Sequence, residues 1–233
     1  MKNRYFILLL CVFLYASNIV YSNEITFDSK EIEVLDNGNT IIASQGLARS
    51  LDNNIEIKAD SFNYNKNLSI IIATGNVVVR ELTNNILLRS NEIFYNIGNE
   101  KIESKSSSEM EDELGNLFVS KNFIFTLNND LIKFNDLKFT DIQNNTTKIN
   151  KAFVNLNTKK LIGKDVSIDF NNQSFQNDNE PRLKGNTVKS DTNKTIVTKG
   201  VFTTCKKNDD CPPWEFSAEK ITHDKEKKTI FYN

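Results

Sequence analysis

The sequence predicts an all-β fold: an antiparallel, folded-over sheet built from hairpin repeats of about thirty residues. Three observations carry that expectation. Apolar residues separated by one position recur at near-constant intervals, as Ile32/Val34, Phe62/Tyr64, Ile93/Tyr95, Phe123/Phe125 and Val154/Leu156, with first members 30, 31, 30 and 31 residues apart. Each pair runs into turn-forming residues, among them Asp36-Asn37-Gly38, Asn65-Lys66-Asn67 and Asn157-Thr158-Lys159. Between the turns, apolar and polar residues alternate with period two, as in Val166-Ser167-Ile168-Asp169-Phe170, the mark of strands with one buried face. No useful 3.6-residue period follows residue 22, and a fixed long period marks a stacked array of like units.

Residues 1–22 read as a secretory signal, with Lys2 and Arg4 ahead of the apolar run Tyr5–Ala16 and a small residue, Ser22, at the cleavage position; an uncleaved anchor is the other reading. Residues 23–203 hold the repeats. Weaker copies fall at Val188/Ser190 and Ile221/His223. A half-repeat follows the turn at three places, Ala43-Ser44-Gln45-Gly46, Ala73-Thr74-Gly75-Asn76 and Thr198-Lys199-Gly200. The alternation also changes phase across Asn135-Asp136, between Ile132/Phe134 and Leu137/Phe139. Such changes predict bulges or corners, where a strand bends from one sheet into the next. The polar stretch Asn171–Asn186, which contains Pro181, is expected to be a long exposed loop. Residues 204–233 form the last repeat and an exit segment with Cys205 and Cys211.

Composition narrows function. Net charge is -1, which disfavours nucleic acid as a partner. The 34 asparagines alone suggest low complexity, but 16 phenylalanines among them supply the hydrophobicity that disorder lacks. One histidine, His223, removes most histidine-built catalysis and multi-histidine metal cages. Cys205, Cys211 and His223 fall short of a structural zinc set, which needs four ligands in tight pairs. The acidic run Glu111-Asp112-Glu113 sits in SSSEMEDELGN and reads as a solvated turn; Lys206-Lys207 and Lys225–Lys228 read as solvated patches with some scope for anionic headgroups. No catalytic residue, cofactor or metal is expected. In an exported chain Cys205 and Cys211 are disulfide candidates, with two inert thiols as the other reading. A curved sheet with a greasy interior and open ends suits a long hydrocarbon, since each buried methylene stabilises a complex by roughly 0.8 kcal/mol. The groove candidates are the ten residues of the five pairs; the plainer reading is that they pack against each other.

The segment Ile57–Val79, IKADSFNYNKNLSIIIATGNVVV, resembles the organic-solvent-tolerance (OstA/LptA-like) domain shared by the lipopolysaccharide-transport proteins LptA, LptC and the N-terminal part of LptD. The segment Lys199–Asn233 resembles the stretch of the LptD family just before its barrel, through Thr204-Cys205, Pro213-Trp214 and the run Ala218, Ile221, His223-Asp224. The resemblance implies a periplasmic β-jelly roll that takes lipopolysaccharide from an LptA-like bridge protein through edge strands. It further implies passage of lipid A acyl chains toward an outer-membrane barrel and, if that barrel is present, an LptE-like lipoprotein beside it and a domain tethered at that membrane. It also implies pairing of Cys205 with cysteines at the barrel's far end. The sequence stops at Asn233, where the family continues into the barrel, so a fragment and a barrel-less relative both stay open, and Cys205 could pair with Cys211. The competing function is a structural strand-addition module of LptA or LptC type, with a packed core and no lipid groove. An exported hydrolase is the third and least supported reading.

Overall fold

In the computed structural model, residues 25–171, 179–206, 214–227 and 229–233 are described. The signal segment, Cys211 and residues 172–178 lie outside them. The chain enters through β1 (Ile25–Leu35), β2 (Thr40–Ser50), β3 (Ile55–Asn65), β4 (Ile70–Glu81) and β5 (Ile86–Asn96). Four short strands follow: β6 (Lys101–Ser104), β7 (Ser108–Glu111), β8 (Leu117–Ser120) and β9 (Asn122–Thr126). Long strands resume with β10 (Leu131–Thr140), β11 (Thr146–Asn155), β12 (Lys160–Asp169), β13 (Arg182–Ser190), β14 (Lys194–Thr203) and β15 (Phe216–Asp224), and β16 (Thr229–Tyr232) closes the series. All sixteen pair antiparallel in one sheet, each long strand beside its sequence neighbours. The all-β jelly-roll class is therefore as the sequence predicts.

A fold line crosses this sheet at mid-strand. Register is interrupted at Lys30/Gln45, between Lys58 and Ser61, between Thr74 and Val77, and at Asp136/Asn150 and Asn150/Asp165. Gln45, Asn76, Asp136, Asp165 and Lys199 adopt positive φ there, at 45°, 46°, 51°, 56° and 48°. Asn and Asp tolerate that region best. Gly75 has φ +75°, and a Cβ on it would stand 2.5 Å from Asp60 Oδ2, so glycine alone fits. The interruptions recur about every fifteen residues, half the hairpin repeat. The half-repeat motifs are thus the corners, as the phase change at Asn135-Asp136 predicts.

The fold line divides the sheet into two wings. Wing I carries the turns at 36–39, 66–69, 97–100, 127–130 and 156–159; wing II carries those at 51–54, 82–85, 112–116 and 141–145. Their inner faces meet: Phe27 of wing II lies edge-on to Phe62 of wing I at 5.7 Å, and Phe118 stacks on Phe134 at 5.8 Å. Asparagine closes the wing I turns by a repeated device. Asn65, Asn96 and Asn155 each accept, through Oδ1, the backbone N–H three residues on.

Three expectations change. First, SSSEMEDELGN is only in part a turn. Ser108–Glu111 is β7, and the Ser90, Ser104, Ser106 and Ser108 hydroxyls bond one another inside the corner where the pass β6–β7 breaks. Buried hydroxyls need such partners. Second, the loop Asn171–Asn186 ends early, because β13 begins at Arg182 and pairs with β12. Third, Lys225 is not simply solvated: its Nζ donates to Ser190 Oγ at 3.0 Å and to the Asp191 carbonyl at 2.5 Å.

Candidate functional site

The site is the apolar interior between the wings, built strand by strand from register. Across wing I one unbroken row of opposed residues runs Val34, Ile41, Tyr64, Ile71, Tyr95, Ile102, Phe125, Ile132, Val154, Leu161, Ser190, Thr195, His223, Ile230. A parallel row nearer the fold line includes Ile32, Ala43, Phe62, Ala73 and Ile93, and then Phe123, Phe134 and Ala152. Strand side chains alternate between faces, so both rows point inward together.

Nine of the ten groove candidates fall on these rows. Leu156 does not. Asn155 turns the chain immediately after Val154, accepting from the Thr158 N–H and hydroxyl. Leu156 therefore lies in the turn, half-buried against the core, and Ala152 takes the row position opposite Phe134. Aligning Asn65, Asn96 and Asn155 finds the right pair, Ala152/Val154.

None of the groove candidates came from the facing wing. Its inward row includes Phe27, Ala48, Ile57, Val79, Leu88, Met110, Phe118 and Phe139. The signal was there, as apolar residues on the far side of each half-repeat.

Packing differs along the rows. Phe62, Ile71, Ala73, Ile93, Tyr95 and Ile132 are fully shut from solvent, and side chains fill the middle of the interior. At the β1 end the row surfaces: Ile32 is 49% exposed and Val34 59%, since among the described residues no strand lies beyond β1. At the far end Tyr232, opposite Ile221, is 65% exposed and rests on Phe216 at 4.3 Å.

The far edges of the two wings are latched across the interior. Asn53 Nδ2 donates to the Tyr95 hydroxyl at 2.6 Å, and that hydroxyl donates to Ser50 Oγ at 3.3 Å. Asn84 Nδ2 donates to Asp130 Oδ1 at 3.0 Å, and Lys159 pairs with Glu113 at 2.5 Å. Burial pushes the Tyr95 phenol above its ordinary range, so it stays protonated and able to donate. The Glu113 carboxylate raises the Lys159 ammonium, though this pair is exposed. Further along, Phe170 of wing II meets His223 of wing I edge-on at 6.1 Å. Burial first, then the Lys225 charge, lowers the imidazole pKa and favours its neutral form.

Among the described residues Cys205 has no disulfide partner; it is buried, its Sγ 3.5 Å from the Trp214 carbonyl oxygen. Arg182 holds this segment by donating to the carbonyls of Glu180 and Cys205. The other disulfide candidate, Cys211, lies outside the described residues. Among the described residues no cluster of three His, Cys, Asp or Glu side chains could hold a metal, and no helix is long and apolar enough to cross a membrane.

These features define a class, a folded-over antiparallel β-jelly roll with an apolar interior that reaches the surface at its edge strands. No family model matches the sequence, and no curated relative matches it. Among the solved structures that are similar in part is LptH, described as the LptA-homologous periplasmic component of the lipopolysaccharide transport device of Pseudomonas aeruginosa, with 11% identity, a TM-score of 0.40, and 45% of this chain laid over 77% of that one. A likeness of that size is no ground for a function.

Proposed function

We propose that the chain is a periplasmic lipid-relay module that carries the acyl chains of lipopolysaccharide between its wings without covalent chemistry. One observation carries this reading: two inward apolar rows run strand to strand from β1 onward and surface at that end as Ile32 and Val34. A hydrocarbon entering there would replace solvent against those side chains and displace the packed ones ahead of it. The sugar end would stay in water outside the latches. The LptD-type placement belongs to the same proposal: an LptA-like bridge protein adding a strand to β1, a barrel and an LptE-like lipoprotein beyond, and Cys205 paired with Cys211 or with a barrel cysteine.

A second reading, a strand-addition module with a permanently packed core, is favoured by the complete burial of the middle. Site-specific photo-crosslinking separates the two. With a photoreactive residue at Ile32, Val34, Phe62, Tyr95 or Phe125, the relay reading expects labelled lipopolysaccharide at all five, strongest at the β1 end. Labelling no greater than at outward Lys66 or Asn129 rejects the relay.

A further inference from the structure

The outer face of wing I is divided by charge. On β10–β13 its outward positions hold Lys133, Lys151, Lys160, Lys164 and Lys189, with no carboxylate among them. On β1–β5 the same face holds Glu31, Glu33 and Glu92 and no lysine. Net charge hides this division, because the whole chain sums to -1.

Register places two apolar side chains inside the basic group. Lys133 lies opposite Phe153, Phe153 opposite Ile162, and Ile162 opposite Lys189, while Lys151 pairs with Lys164 alongside. Phe153 is 38% exposed and Ile162 48%, although both sit mid-strand in a well-paired region. Two acids beside the group have hydrogen-bond partners of their own, and Asp136, exposed on the fold line, flanks it as a third. Asp165, on the fold line, accepts from Asn150, and Asp191, in the turn after β13, accepts from the backbone N–H groups of Asn193 and Lys194. Backbone hydrogen bonds from those two residues hold the Asp191 carboxyl below its usual range.

We infer that this face of β10–β13 docks on an anionic phospholipid surface, lysines against phosphates and Phe153 and Ile162 in the headgroup layer. Charge complementarity chooses the partner. Five like charges on one small patch repel one another unless an anionic surface meets them, and each basic residue at such a surface strengthens binding about fivefold. An apolar pair ringed by cations matches the layered polarity of a bilayer's edge. The inference concerns the outside of the molecule and does not depend on what the interior carries.

The test uses residues 23–233, which hold every described strand, and flotation with two kinds of vesicle: phosphatidylcholine alone, and phosphatidylcholine in which about a third is phosphatidylglycerol. The protein should float with the anionic vesicles only, and less as salt is raised. Lys151→Glu with Lys164→Glu should weaken binding by about tenfold or more. Lys148→Glu with Lys184→Glu, the same charge change on the outer face of wing II, should leave it within about twofold, as expected if local position and not net charge matters. Circular dichroism checks that all variants fold. Equal binding to both vesicles, or equal loss in the two double variants, overturns the inference. So does a dimer that Lys151→Glu with Lys164→Glu dissociates while vesicles are ignored, since the basic face would then meet the acidic end of a second copy.

Discussion

Phe62 and Ile32 stand on the same row of the same wing, two strands apart; one is completely buried and the other half exposed. Both point inward, so local sequence does not separate them. The difference is what lies alongside. Phe62 has β2 and β4 beside it and the Phe27 ring across from it; Ile32 has β2 on one side and, among the described residues, no strand on the other. In a stacked array the ends inherit the pattern of the middle without its cover. An apolar residue kept at an end therefore points to something that arrives there, and the same residue in the middle needs no such explanation.

The largest effect that sharpens this contrast is in stability. Phe62→Ala should cost about 3–5 kcal/mol through lost burial and a residual cavity, whereas Ile32→Ala should cost under about 1 kcal/mol. Denaturant unfolding measures both. Comparable losses would mean that the β1 end is packed core and would remove the ground for an open end.

A smaller effect concerns the latches. Tyr95→Phe keeps the ring and deletes the hydroxyl that joins Asn53 to Ser50, leaving a buried serine without this partner. The cost should be about 1–2 kcal/mol, with faster amide exchange at residues 51–54 and little change at the β1 end. Uniform acceleration over the whole chain would show global loosening and not a local latch.

The smallest effect is pH-dependent and lies at the far end. His223 has a folded-state pKa below its ordinary 6.5, so as pH falls through that value the unfolded chain takes up a proton that the folded chain resists. Stability supported by the neutral ring is complete above 6.5 and is lost as pH drops toward the folded-state pKa. His223→Phe keeps an aromatic against Phe170 and should flatten that part of the pH–stability curve. An unchanged slope would mean that the ring is free to protonate where it sits.

Much of the architecture was legible because turn chemistry and period two are local. Asn65, Asn96 and Asn155 announce their turns, and Gln45-Gly46 and Gly75-Asn76 announce the corners. Misplacing Leu156 on the row came from counting intervals where the asparagine should have set the frame: Val-Asn-Leu alternates like a strand, but Asn155 ends it. Features that depend on register were not legible. Lys133 and Lys189 are 56 residues apart in sequence, and only three strand pairings bring them around Phe153 and Ile162. The basic residues near the C-terminus lie close together in sequence, yet Lys225 holds a turn together. The latches were hidden for the same reason, since Asn84 and Asp130 meet 46 residues apart across two wings.

The corner recurring every fifteen residues or so makes the interior extensible in whole steps. Duplicating one hairpin would add two strand spacings, roughly 10 Å of apolar track, and carry its turns and corners with it. A single-residue insertion within a strand would instead swap the inner and outer faces up to the next corner. Length along the track is thus a quantised dimension of this architecture, adjustable by copying and resistant to small indels.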